Sequence, residues 1–255
     1  MTATTTPNEA ETHADGSPKP RTGTEDWKQY SQHRGRIIYR EPVAASTHVL
    51  IVEKPDGFDY QAGQGVELSI DREGHREQKH PMFLTSLPGE PRLEMLVHVG
   101  EGESDQNSVI ANDCPIGTRL LFDDAQDMLH YTGPGVFIAG GAGVAAFLGA
   151  FRHLAKTDEL DGNRLFLVNN RKDEVVMQSE LFRRFGHSVT STLLEEEDRD
   201  HEYGPVDREW LEKRVGQFDQ PFYLCGPPEM VETLESTVRD LGGEVQTVPW
   251  PGSIG

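Results

Sequence analysis

The chain has 255 residues and sets 43 acidic against 24 basic side chains, a formal charge of −19. That balance argues against nucleic acid as a partner, because neutralising phosphates takes a basic face. Its two cysteines, Cys114 and Cys225, share no close spacing, which excludes a zinc site or an iron–sulfur cluster built from this chain alone.

The length suits one large domain or two ordinary ones. No apolar run approaches the roughly 20 residues of a membrane-spanning helix, and no basic segment leads into an apolar stretch at the start. The sequence is therefore read as cytoplasmic, without membrane insertion.

Residues 1–26 are rich in Thr, Pro, Gly, Ser and acidic side chains without periodicity and read as a disordered tail. From Trp27 to 132 the chain breaks into short stretches punctuated by Gly, Pro and Asp. Strands are predicted at Arg36–Tyr39, Thr47–Glu53, Gly65–Ile70, Met82–Thr85, Arg92–Val99 and Arg119–Phe122. Such spacing predicts a small antiparallel barrel or sandwich, with one helix over Ser104–Ala111.

From 133 to 255 the pattern changes. The strand Val136–Ala139 runs into Gly140-Gly141-Ala142-Gly143 and a helix over Val144–Leu154. A strand at Arg164–Val168, a helix at Ser179–Phe185, a strand at Val189–Leu193 and a helix at Asp207–Val215 follow. The strand Phe222–Leu224, the turn Cys225-Gly226-Pro227-Pro228 and the helix Glu229–Leu241 complete the series. Alternating strands and helices predict a parallel sheet covered on both faces. The fold class is thus an N-terminal antiparallel β-barrel followed by an α/β parallel-sheet nucleotide-binding domain. The acidic run Glu195–Asp200 reads as a solvated loop.

Ligands of an open parallel sheet bind beyond the carboxyl ends of its strands. Two such ends have unusual composition here. Gly140, Gly141, Ala142 and Gly143 would let backbone N–H groups approach a phosphate at the start of a helix, although a tight packing turn explains them equally well. Cys225, Gly226 and Pro227 form a rigid turn beside the same crevice.

These two segments, read as Gly135-Val136-Phe137-Ile138-Ala139-Gly140-Gly141-Ala142-Gly143 and Phe222-Tyr223-Leu224-Cys225-Gly226-Pro227-Pro228-Glu229-Met230, resemble the NAD(P)-binding half of the ferredoxin–NADP reductase family. Phe58-Asp59-Tyr60-Gln61-Ala62-Gly63-Gln64 resembles the element that opens that family's flavin-binding barrel. The likeness runs from Arg36 to Val248, and the branch it is most similar to is the flavodoxin-reductase-like one without an iron–sulfur domain. It implies FAD on the barrel, NADPH or NADH on the second domain, and hydride passing from nicotinamide to flavin and on to a redox acceptor protein or small-molecule acceptor.

By the same resemblance, Gly140, Gly141, Ala142, Gly143, Gly226 and Pro227 would hold the nucleotide, Cys225 would lie near the nicotinamide, and Trp250 would cover the flavin face. The flavin contacts would fall on His80, Pro81, Met82, Phe83, Thr85 and Ser86, with Val97 on the neighbouring strand and Ser108 at the pyrophosphate. In this segment His80 stands where the family has arginine, Met82 where it has an aromatic and Phe83 where it has a hydroxyl. Histidine lacks arginine's permanent bidentate fork. Lys79 could supply part of the missing charge. Two readings stay open: a flavin- and NAD(P)H-dependent oxidoreductase, or a flavin-less nucleotide-binding or regulatory module on the same scaffold. Arg171 and Lys172, after the strand Arg164–Val168, could pair with an adenosine 2′-phosphate and so favour NADPH, or be an ordinary exposed basic pair. Arg34, Arg36 and Arg40 could form a local basic patch for an acidic acceptor.

Overall fold

The computed structural model describes residues 26–100 and 106–249. Its first half is one antiparallel sheet built from β1 (His33–Ala44), β2 (Thr47–Glu53), β3 (Gln64–Ile70), β4 (His80–Phe83), β5 (Arg92–His98), β6 (Arg119–Phe122) and β7 (Gln126–Asp127). The strand order is β4-β3-β6-β1-β2-β5, with β7 added to β3. Alternating apolar residues turn one face of the sheet inward, where Ile37, Leu50, Val66, Leu68, Met82 and Val97 make a closed core. Between β5 and β6 the chain makes a short helix, α1 (Gln106–Ser108), which widens into the turns of Val109–Asp113. The Ser104 end of the helix expected there lies outside the described residues.

The second half is a six-stranded parallel sheet of β8 (Val136–Gly140), β9 (Arg164–Asn169), β10 (Val189–Leu193), β11 (Glu202–Tyr203), β12 (Pro221–Cys225) and β13 (Glu244–Thr247), in the order β11-β10-β9-β8-β12-β13. The connecting helices are α2 (Ala145–Lys156), α3 (Gln178–Phe185), α4 (Arg208–Arg214) and α5 (Pro228–Asp240). Asp207 caps α4, its Oδ1 accepting the Trp210 N–H at 2.9 Å, and Pro228 opens α5 at a position where no N–H is needed. β8, buried at every position, sits in the middle of the sheet. The direction of winding reverses between β8 and β12, because β9 and β12 flank β8 on opposite sides.

Sequence periodicity does not reveal β7, β11 or β13, which are short or at sheet edges. β13 has no buried residue, so nothing in its pattern distinguishes it from a loop; its place follows from pairing with β12. β1 also runs well beyond the expected Arg36–Tyr39. Its far end turns through Ala45 and Ser46 and docks on the second half, where the Ala45 N–H donates to the Asp173 carbonyl at 2.8 Å.

The two halves share one apolar cluster. Val49, Phe83, Leu96 and Leu129 from the barrel pack with Ala145, Phe147 and Phe151 of α2 and with Phe137 and Tyr223 beneath them. At its centre α2 lies directly on the end of β4: a Cβ on Gly149 would stand 2.5 Å from the Leu84 carbonyl oxygen, so only glycine fits. One turn further on, the buried guanidinium of Arg152 joins the halves. It takes Glu180 of α3 through Nε and Nη2 at 2.9 and 2.8 Å. On the barrel side Nη1 reaches the Glu94 carboxylate at 2.6 Å and the Thr85 carbonyl at 2.8 Å. The Thr85 hydroxyl donates to the same Glu94 oxygen at 2.7 Å. Burial alone would raise the Glu180 carboxyl, but the hydrogen bonds and charge of Arg152, helped by Arg184 and Arg183, outweigh it and hold its pKa below the ordinary carboxylate value.

Removing the guanidinium strips part-buried Glu94 of its partner and leaves part-buried Glu180 with the more exposed Arg184 alone at 3.6 Å. Arg152→Met is therefore expected to cost about 3–5 kcal/mol, read as a lowered urea midpoint. Since the folded pKa of Glu180 is depressed, the lock contributes fully above the ordinary carboxylate value of 4.5 and is lost as pH falls through the lower folded value. The variant should accordingly show a shallower acid loss of stability than the wild type; an equally steep loss would show that Glu180 is not the titrating group.

Candidate functional site

A crevice of about 790 Å³ separates the barrel from the parallel sheet, within the range of small-molecule and cofactor sites. Every sheet-side lining residue lies at or beyond the carboxyl end of a strand. Gly140 ends β8 and Gly141 and Ala142 follow it, Val168 and Asn169 end β9 and Asn170 follows it, Leu194 follows β10, and Pro227, Glu229 and Met230 follow β12. This is the switch point of the winding, where the open edges of loops from both directions leave room for a ligand.

The loop after β8 is glycine-rich for reasons of space as well as ligand access. A Cβ on Gly143 would meet the Cys225 carbonyl oxygen at 2.5 Å, and one on Gly140 would meet the Met230 thioether and Pro227 at under 3 Å. Gly141 holds a positive φ of 52°, a conformation that side chains disfavour. The turns at the ends of β8 and β12 are thus pressed together, and Gly226 lies against Gly140. Gly140, Gly141, Ala142 and Pro227 open onto the crevice, while Gly143 and Gly226 form the buried contact behind it.

The barrel wall of the crevice is not the segment the resemblance points to. It is made by the turn into β2 (Ala45, Ser46, Thr47 and His48), by His98 and Val99 at the end of β5, and by Asn112. Of the expected flavin contacts, Met82, Phe83, Thr85 and Ser86 are buried. Met82 faces the barrel core and Phe83 the apolar cluster shared with α2. The Thr85 hydroxyl is committed to Glu94, and the Ser86 hydroxyl lies 2.8 Å from that of Tyr60. Pro81 and Val97 are buried as well, His80 is half-buried at the first position of β4, and Ser108 ends α1; none of these lines the crevice. Lys79 is paired with Asp123 at 2.5 Å rather than turned toward a phosphate.

Cys225 is fully buried, its thiol lies 3.6 Å from the Pro249 carbonyl, and burial pushes its pKa up to about 12. The expected catalytic role for Cys225 finds no support in that setting, since a thiol so placed is neither exposed nor ionised. Trp250 lies outside the described residues. Arg171 is exposed and does not line the crevice, and Lys172 is drawn away by Asp198 at 2.7 Å. The expected basic patch is also partly spent. Arg40 donates to the carbonyls of Ile110 and Cys114, both at 2.6 Å, and Arg34 stacks on Trp27 beside Asp71.

On the crevice-lining residues, Nδ1 of His48 and Oδ1 of Asn169 are buried without a partner among the described residues. Burial, and secondarily the charge of Arg40, lowers the His48 pKa, so its ring favours the neutral form. Neither histidine of this wall nor Glu174, which also lines the crevice, is signalled by a motif. A buried polar atom left unsatisfied costs on the order of 1–3 kcal/mol, and a ligand with hydroxyl or ring N–H groups would relieve that here. The site therefore fits a dinucleotide at the glycine turn and a polar ring system against the histidine wall.

Residues 137–236 match the family model described as the oxidoreductase NAD-binding domain. Over 197 residues the chain is 26% identical to the 2-halobenzoate 1,2-dioxygenase electron transfer component of Burkholderia cepacia, covering 73% of this chain and 57% of that protein. It is 23% identical over 246 residues to the flavohemoprotein of Bacillus subtilis, covering 87% and 59%. The chain thus spans less than two thirds of the length of these curated relatives. Among solved structures, a ferredoxin NADP+ reductase from Neisseria gonorrhoeae with bound FAD and NADP superposes with a TM-score of 0.73 at 18% identity, over 86% of this chain and 98% of that one. With an antiparallel barrel in front, a switch-point crevice in the middle and residues 137–236 matched by the oxidoreductase NAD-binding domain behind, the chain has the two-domain fold of that ferredoxin NADP+ reductase structure.

Proposed function

We propose that the chain is a flavin-dependent oxidoreductase that takes hydride equivalents from NAD(P)H and hands electrons to a separate acceptor, as the electron transfer components among its relatives do by name. The observation that carries this is the crevice itself, which opens at the switch point of the parallel sheet and is closed on its other side by the barrel. Gly140, Gly141, Ala142 and Pro227 would hold the dinucleotide, with backbone N–H groups at the start of α2 favouring its phosphates. Thr47, His48, His98 and Val99 would hold FAD. When bound, the flavin supplies the exchange between two-electron hydride chemistry and an acceptor's electrons.

The protein's own contribution is positional. The Arg152 lock and the Gly149 contact fix the barrel against α2, so both walls of the crevice keep one spacing. The shared cluster around Phe83 and Phe147 makes an apolar seam between the same two halves. His48, kept neutral, can accept or donate one hydrogen bond through Nδ1 without adding charge.

One observation favours the second reading, a flavin-less module. The segment His80–Ser86 is turned inward and its Thr85 and Ser86 hydroxyls are already bonded. The two readings separate in one experiment. Protein incubated with FAD and freed of excess by gel filtration is expected to keep a visible flavin spectrum that bleaches on anaerobic addition of NADH or NADPH. Failure to retain flavin while still binding a dinucleotide would select the module. His48→Leu should weaken flavin retention by about tenfold, the effect of losing one part-buried hydrogen bond.

Cys225 does not enter this chemistry. Neither cysteine is expected to react with a thiol-specific aromatic disulfide in the native protein, and two should react in urea, because both are buried. Rapid native labelling of one thiol would reinstate Cys225 as a candidate.

A further inference from the structure

We infer that the crevice selects the dinucleotide with a free 2′-hydroxyl, NADH, over its 2′-phosphorylated form, and that Glu174 is the selecting residue. This deepens the reading above and rests on it.

In a sheet of this winding, the ribose of a dinucleotide held at the end of β8 meets the residues that follow β9. Here that strand end carries Asn169, its last residue, and Asn170 just beyond it. The 3-10 turn at Lys172–Glu174 brings the Glu174 carboxylate back beside them. One carboxylate oxygen, Oε2, accepts the Asn170 N–H at 2.9 Å, which fixes the group in place and leaves the other oxygen unbonded among the described residues. The neighbouring Asn169 Oδ1 is buried and unpartnered. This corner therefore offers lone pairs. A ribose diol brings two O–H donors to such a corner, whereas a phosphate dianion brings none and needs donors of its own.

Charge points the same way. Among the described residues lining the crevice there is no lysine or arginine, and the charged ones are Glu174 and Glu229. The two cations that follow β9 in sequence are withdrawn. Lys172 is held on Asp198, and its backbone N–H is taken by Glu196, so the acidic loop after β10 fastens this turn with its ammonium facing away. Arg171 is exposed outside the lining. The barrel completes the corner, because the Ala45 N–H bonds the Asp173 carbonyl and brings the turn into β2 against Glu174's own loop. A 2′-phosphate would sit beside a fixed carboxylate in a partly enclosed space, where like charges repel more strongly than in water.

Calorimetric titration of the full chain with NAD+ and with NADP+ tests this without any turnover. NAD+ is expected to bind at least about tenfold more tightly, the ratio for roughly 1.4 kcal/mol. Glu174→Gln keeps an acceptor for Asn170 but removes the charge, and should narrow the gap mainly by tightening NADP+. Glu77→Gln, in the turn before β4, removes one of the same excess negative charges without touching the crevice and should leave the ratio unchanged. NADP+ binding as tightly as NAD+ to the wild type overturns the proposal whether or not the variants fold. So does a Glu77→Gln effect equal to that of Glu174→Gln, which would assign the preference to net charge. If neither nucleotide binds, the dinucleotide reading itself falls, and this selection with it.

Discussion

One buried guanidinium sets the relation between the two halves of this molecule. Arg152 stands on α2 and bonds Glu180 on its own side and Glu94 and the Thr85 carbonyl on the other. A charge can be taken out of water only if its donors are met, and here four contacts from two domains meet them. The barrel cannot slide along α2 without breaking that set. Gly149 makes the same demand sterically, since the helix backbone touches the Leu84 carbonyl. The width of the crevice follows from these contacts.

The lock and the apolar seam beside it also take up part of the segment that the resemblance assigns to the flavin. Thr85 and Glu94 are bonded to each other and to Arg152, and Phe83 fills the apolar seam between the halves. Residues that the resemblance assigns to a cofactor are used here to hold two domains together. The wall left facing the crevice comes from the β1–β2 turn and the end of β5, where Thr47 and His98 are cross-strand neighbours. Antiparallel pairing brings Thr47 and His98, 51 positions apart in sequence, to one edge, which no linear motif encodes.

On the nucleotide side, sequence and structure agree more closely. Gly140, Gly141, Ala142 and Pro227 were legible because close approach of backbone demands glycine, and proline fixes a turn at a helix start. Glu174 was not legible. It lies among other charged residues in Arg171-Lys172-Asp173-Glu174, and a string of letters does not say which of four neighbours turns inward. Hydrogen bonds made elsewhere decide it: Asp198 and Glu196 hold Lys172 outward, and the Asn170 N–H draws Glu174 back. Cys225 shows the converse case. Its place at the end of β12 was legible, but its burial to zero exposure under Pro249 and Gly143, which removes it from reaction, was not.

By itself the sequence determined the two-layer plan: alternation of apolar residues gives strands that pair antiparallel, and strands alternating with amphipathic helices give a parallel sheet, because each element must bury one face. It also determined which strand ends carry the glycine turns. The tertiary structure alone decided which side chains face the crevice, since that depends on contacts no linear pattern encodes, from the Asn170 N–H on Glu174 to the pairing of Thr47 with His98. It likewise decided the edge strands β7, β11 and β13, whose stability comes from a neighbour's unpaired backbone groups rather than from any pattern of their own.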